Sequence, residues 1–126
     1  MEMKENDIYF KIREAITKVF NSLGPGLQKS VYENVLFYEL CKMGFNVKSQ
    51  FPLPIIYDNT KLEDSYTVDL LIDNRVVLTI RTDEIITETH HQEINTYLKL
   101  CDKKLGVMVN FNTADIEQSI YVKVMG

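Results

Sequence analysis

The chain of 126 residues has no tryptophan, three prolines, five glycines and two cysteines. It also lacks any apolar run near the roughly 20 residues needed to span a bilayer, and its charged N-terminus has no signal-peptide core. These absences predict a soluble, cytoplasmic protein with no membrane partner. Cys41 and Cys101 stand far apart, outside any C-x-x-C spacing, so the expectation is a pair of reduced, buried thiols. Zinc spacing, a phosphate-binding glycine loop and an ordered Ser-His-Asp set are all missing. Basic residues are in short supply too. Fourteen Lys and Arg stand against eighteen Asp and Glu, for a net charge of −4. From Asp58 to Glu93 the deficit is sharper: nine acids face three bases, a local charge of −6. Such a balance argues against strong non-specific nucleic-acid binding. Unless cations neutralise it, this segment repels phosphate.

What is present suits one domain over residues 1–126. Hydrophobic content of 45% and charge of 25% are those of an ordinary globular chain. At this length about two-thirds of the unfolded surface is buried, enough for a core without staples. Residues 1–6 are polar and expected to fray. Ile8, Ile12, Ala15, Ile16, Val19, Phe20 and Leu23 recur at helical spacing and predict a helix from Asp7, its N-cap, to Ser22. Gly24-Pro25-Gly26 stops it. A second helix is predicted from Gln28 to Met43, with Val31, Tyr32, Val35, Leu36, Leu40 and Met43 as its apolar face and Gly44 just past its end.

Asn46 to Tyr57 reads as an edge or irregular strand, because Pro52 and Pro54 cannot donate to a ladder. Ser65–Ile72 and Arg75–Thr82 read as antiparallel strands joined at Asp73-Asn74. Thr87–Cys101 reads as a third helix, with Ile94, Tyr97, Leu98 and Cys101 as its stripe and a Thr89/Gln92 capping box. Lys104–Phe111 and Ser119–Val124 complete the set. The order α-α-β-β-β-α-β-β implies a mixed sheet flanked by helices, with the third helix as a parallel crossover.

Several words of the sequence carry a resemblance. They are Leu23-Gly24-Pro25-Gly26-Leu27 with Ser30-Val31-Tyr32-Glu33, then Phe51-Pro52-Leu53-Pro54-Ile55-Ile56-Tyr57, then Val68-Asp69-Leu70-Leu71-Ile72. Tyr97-Leu98-Lys99-Leu100 and Leu105-Gly106-Val107-Met108-Val109-Asn110-Phe111-Asn112 follow. In this order the chain resembles the GxxExxY family of PD-(D/E)XK nuclease-like proteins, from about Ile16 to Val122. The resemblance implies an α/β (α+β), restriction-endonuclease-like fold with an αβββαβ core.

It also implies a site. Such nucleases hold a divalent ion on an aspartate and a glutamate, beside a lysine that steadies the attacking water. Asp69 matches the aspartate. Thr79 stands at the glutamate position and Arg81 at the lysine position. Lys29 replaces the naming glutamate between Gly26 and Tyr32, and Glu93 replaces the glutamine that precedes Tyr97. A hydroxyl is a poor magnesium ligand, and a guanidinium does not donate its proton near neutral pH. Lys29 and Arg81 are therefore read as internal substitutes for the metal charge, pairing with Asp69 and Glu93. Tyr32, Glu33 and His90 complete the expected pocket. Glu33 reads as a solvated or capping residue, Asp83 and Glu84 as strand-end acids in solvent, and Tyr32, Tyr38 and Tyr97 as core aromatics. Neighbouring His90 and His91 point about 100° apart on a helix and do not chelate one ion.

Three readings follow. The first is a nuclease-fold protein with a degraded metal site, a non-catalytic binding or regulatory module without metal or cofactor. The second is a nuclease with a rearranged site, using Asp69 and a migrated carboxylate (Glu33, Asp73 or Glu84) with magnesium or manganese. The third is a structural module that self-associates, as a homodimer through the first two helices. A nucleic acid or a protein is the expected partner.

Overall fold

The structure is a computed structural model and describes residues 4–125. Helix α1 (Glu5–Leu23) and helix α2 (Lys29–Lys42) precede strands β1 (Val47–Tyr57), β2 (Thr60–Ile72) and β3 (Val76–Arg81). Helix α3 (Glu88–Cys101), strand β4 (Leu105–Asn110), a short 3-10 turn (Ile116–Ser119) and strand β5 (Ile120–Val124) follow. The expected αβββαβ core is present. The sheet runs β1-β2-β3-β4-β5 and is antiparallel throughout, except that β3 and β4 are parallel across the α3 connection. As Pro52 and Pro54 required, β1 is an edge strand.

The sheet separates two apolar cores. On one side Ile8, Ile12, Ile16, Tyr32, Leu36 and Leu40 of the first two helices meet Leu70, Ile72, Leu78, Ile80, Val107 and Val109. On the other, Tyr97 and Leu98 of α3 meet Leu53, Val68, Leu71 and Val77. α3 lies close because β4 has a glycine beneath it. A Cβ at Gly106 would come within 3.0 Å of Ile94 Cδ1 and 3.2 Å of Leu98 Cδ1.

Several local expectations shift. Glu5 and Asn6 are helical rather than frayed, and Met1–Met3 lie outside the described residues. Lys4 is the N-cap of α1, which leaves Asp7 in the first turn, where its charge suits the helix dipole. The capping box on α3 joins Thr87 and His90, not Thr89 and Gln92. Of the predicted face α2 buries Tyr32, Leu36 and Leu40, but Val31 and Met43 are exposed, as is Tyr38, while Glu33 is buried, because α2 lies across α1 as well as on the sheet. Gly44 (φ 98°) does close α2, with Phe45 N–H donating to Leu40 O and Gly44 N–H to Cys41 O, the paired bonds of a Schellman end. Cys41 is exposed, contrary to the expectation of a buried thiol, while Cys101 is half-buried and burial raises its pKa. β2 begins at Thr60, five residues before the predicted start. An Asp58-Asn59 turn with both residues at positive φ (53° and 58°) returns the chain directly onto β1. Among the described residues no helix is long and apolar enough to cross a membrane.

The β1–β2 hairpin changes faces midway. Val47 and Ser49 turn toward the α1–α2 layer, whereas Phe51 and Leu53 turn toward α3, although all four are odd-numbered. On β2, Leu70 and Ile72 face α1–α2 while Val68 faces α3. Strict alternation would keep each set on one face. Both reversals fall on one rung, Gln50 opposite Asp69, and Gln50 has φ 52°. A left-handed residue inside a strand turns the ribbon over. Asp69 sits at the crossing.

Candidate functional site

The β2–β3 ladder pairs Ile72 with Val76, Leu71 with Val77 and Leu70 with Leu78, then stops. At the next position the carboxylate of Asp69 takes over from the backbone. Its Oδ2 accepts the N–H of Ile80 at 2.8 Å. Its Oδ1 lies 2.8 Å from Nζ of Lys29, which reaches in from the first turn of α2. The Asp69 side chain is nearly buried (9%), while that of Lys29 is 46% exposed, so the pair lies at the rim of the protein. Sequence expectation thus brought Lys29 and Asp69 together, and the structure places them in direct contact.

One helical turn beyond Lys29, Glu33 shares its face of α2. It is buried rather than solvated: Oε1 accepts Gln50 Nε2 at 2.5 Å and Ser49 Oγ at 3.3 Å. The inverted backbone at Gln50 is what lets its amide reach across to α2. Neither Gln50 nor Ser49 stood out in the sequence, where nothing marks a polar residue at positive φ inside a strand.

A second chain of polar contacts runs along the α3 side. Thr79 and Arg81 share that face of β3 with Val77, alternating with Leu78 and Ile80 on the other. The Thr79 hydroxyl is buried and has no hydrogen-bond partner among the described residues. Arg81 pairs most closely with Asp83 (Nε to Oδ2, 2.5 Å) and lies 3.7 Å from Glu93. Glu93 Oε1 accepts the Tyr97 hydroxyl at 2.5 Å. Burial raises the Tyr97 phenol well above its ordinary range, and the Glu93 hydrogen bond and the charges of Glu93 and Asp69 add to it.

Asp83 is not a free strand-end acid. Besides Arg81 it has His90 Nε2 4.0 Å away, and its carbonyl accepts Asn110 Nδ2 and Asn112 Nδ2 at 2.9 and 3.3 Å. Asn110, which ends β4, and Asn112 just beyond it thus fasten the 82–87 connection. Glu84 is exposed as expected. His90 has a structural task at the start of α3, its Nδ1 accepting Thr87 N–H at 3.0 Å. His91 diverges from it and meets the Tyr121 ring edge-on, centroids 5.0 Å apart.

Tyr32 belongs to the core and not to the pocket. It is fully buried and stacked on Phe111, centroids 4.2 Å apart and rings 3° from parallel. Its hydroxyl donates to Gly24 O at 2.5 Å and accepts Leu27 N–H at 3.2 Å, fixing the turn that aims Lys29. Asp73 sits in the β2–β3 turn at φ 52°, but its side chain reaches out of that turn, Oδ1 accepting the N–H of Asn46 just before β1 at 2.8 Å.

A cleft of about 270 Å³ opens beside Glu93, between Tyr66 on the hairpin and Thr89, Gln92 and Thr96 on α3. The larger hollow, about 620 Å³, follows the outer side of α1 (Phe10, Arg13, Thr17, Asn21) and holds none of the site residues. Among the described residues no three His, Cys, Asp or Glu side chains converge as ion ligands.

The αβββαβ order with its parallel β3–β4 pair is consistent with a restriction-endonuclease-like domain. No curated protein and no solved structure matches the chain significantly. A family match covers residues 6–122, and with it the chain belongs to the PD-(D/E)XK nuclease superfamily.

Proposed function

We propose that this domain is a non-catalytic binding or regulatory module of the GxxExxY type, in which Lys29 supplies the positive charge that a metal ion supplies in active relatives. One observation carries the reading: both oxygens of Asp69 are engaged, Oδ1 with the Lys29 ammonium and Oδ2 with the Ile80 N–H. Magnesium needs a near-octahedral set of oxygens, commonly with more than one carboxylate or a substrate phosphate. Here the neighbouring β3 positions contribute a neutral hydroxyl, Thr79, and a second cation, Arg81, which is already paired with Asp83 and Glu93. This donor set is a poor fit to a divalent ion. The −6 balance from Asp58 to Glu93 favours a protein partner over nucleic acid. The free thiols Cys41 and Cys101 support a reducing, cytoplasmic setting.

A second reading, a nuclease with a migrated ligand, draws on the buried Glu33 carboxylate one turn from Lys29. The test is incubation of the purified protein with single- and double-stranded DNA and with RNA, in manganese and in chelator. The expected result is no metal-dependent cutting, and no rise in melting temperature with magnesium or manganese. Cutting that is lost in both Asp69→Ala and Glu33→Gln would establish the second reading instead.

A further inference from the structure

The two edges of the sheet are built differently. The outer edge of β1 has no N–H at Pro52 and Pro54, and its backbone inverts at Gln50. Prolines and irregularities of this kind blunt an edge against pairing. β5 has neither. It is a run of Ile120-Tyr121-Val122-Lys123-Val124 bonded to β4 on one side, with no described strand on the other. Four of its five residues are strong strand formers.

Its apolar face is also left uncovered. Val122 lies opposite Val107 and Val124 opposite Leu105, both core residues of the α1–α2 side. Ile120 packs into that core, yet Val122 is 40% exposed and Val124 is 75% exposed. The helix layer ends before the sheet does.

From the open edge and this uncovered face together, we infer that β5 pairs antiparallel with β5 of a second copy of this chain, extending the sheet across a two-fold axis at Val122. The sequence is self-complementary in that register. Val122 faces Val122, and each Ile120 covers the other copy's exposed Val124. On the opposite face Lys123 stands across from Tyr121 of the second copy, an ammonium beside an aromatic ring rather than beside another lysine. A two-fold axis requires such self-matching, and a charge at residue 122 would have broken it. The second copy brings its own helix layer, which flanks the two valines that a single copy leaves bare. The surface is separate from Asp69 and from the outer faces of α1 and α2.

Sedimentation velocity over a concentration series, with circular dichroism as the folding control, tests the inference. The wild type should sediment as a monomer–dimer equilibrium. Val122→Lys, which places two ammonium groups on the axis, should weaken dimerisation by at least about tenfold while leaving the spectrum unchanged. In a Cys41→Ser background, oxidation should cross-link Val122→Cys, whose partners share a rung within disulfide reach, but not Lys123→Cys, whose partners are two rungs apart. A wild type that stays monomeric throughout would overturn the inference. So would a dimer that resists Val122→Lys but yields to Phe10→Lys or Tyr38→Lys on the outer helices.

Discussion

Ile80 gives its N–H to the side chain of Asp69 at 2.8 Å, where an antiparallel neighbour would have offered a backbone carbonyl. Asp69 therefore does two jobs, closing a gap in the sheet and holding Lys29. The two can be separated. Asp69→Asn keeps an acceptor for Ile80 and loses the ion pair, which at a half-exposed lysine is worth about 1 kcal/mol or less. Asp69→Ala also strands a buried N–H, adding about 1–3 kcal/mol. Chemical denaturation should rank wild type above Asn, and Asn above Ala, with the larger step between the two variants.

Rebuilding the ion site should be visible without any activity. Lys29→Glu, Thr79→Glu and Arg81→Lys together place two new carboxylates around Asp69 and remove the cation in contact with it. The triple variant is expected to melt higher in magnesium or manganese than in chelator, and the wild type is expected to show no such difference. A wild type already stabilised by millimolar magnesium would transfer the weight to the nuclease reading.

The contact of α3 with β4 depends on a missing side chain. At Gly106 an added Cβ meets Ile94 at 3.0 Å, so Gly106→Val overpacks a tight interface at a cost of about 1–3 kcal/mol. Since α3 carries Glu93 and Tyr97, the near-ultraviolet tyrosine signal should change with it. An unchanged melting temperature would contradict the packing.

Tyr97 predicts how stability responds to alkali. Its phenol is raised by burial first and then by its hydrogen bond to Glu93. The folded state holds this proton more tightly than the unfolded chain does. The stability it contributes is therefore complete below the unfolded value of about 10 and is lost as pH rises beyond it. In Tyr97→Phe, stability should fall less steeply above pH ~10, at the cost of one hydrogen bond, about 1 kcal/mol, at neutral pH. Parallel alkaline limbs for the two proteins would refute this.

The periodicities of Ile8 to Leu23 and Ile94 to Cys101, and the short apolar runs on either side of Asp73-Asn74, determined element types and order, because helical spacing and short buried runs are written residue by residue. Lys29, Thr79, Arg81 and Glu93 were likewise picked out in the sequence, through the family resemblance and not through any pattern of burial. What the sequence could not hold was the reversal of the hairpin at Gln50 and Asp69. A positive φ in a non-glycine strand residue is a local cost of about 1–2 kcal/mol, accepted only because tertiary contacts over-determine it. Those contacts, Gln50 to Glu33 and Asp69 to Lys29 and Ile80, join segments 11 to 40 residues apart. For the same reason Glu33 looked solvated and Asp83 looked free: whether a carboxylate is buried, paired or bare depends on which distant segment arrives beside it, and only the closed fold decides that.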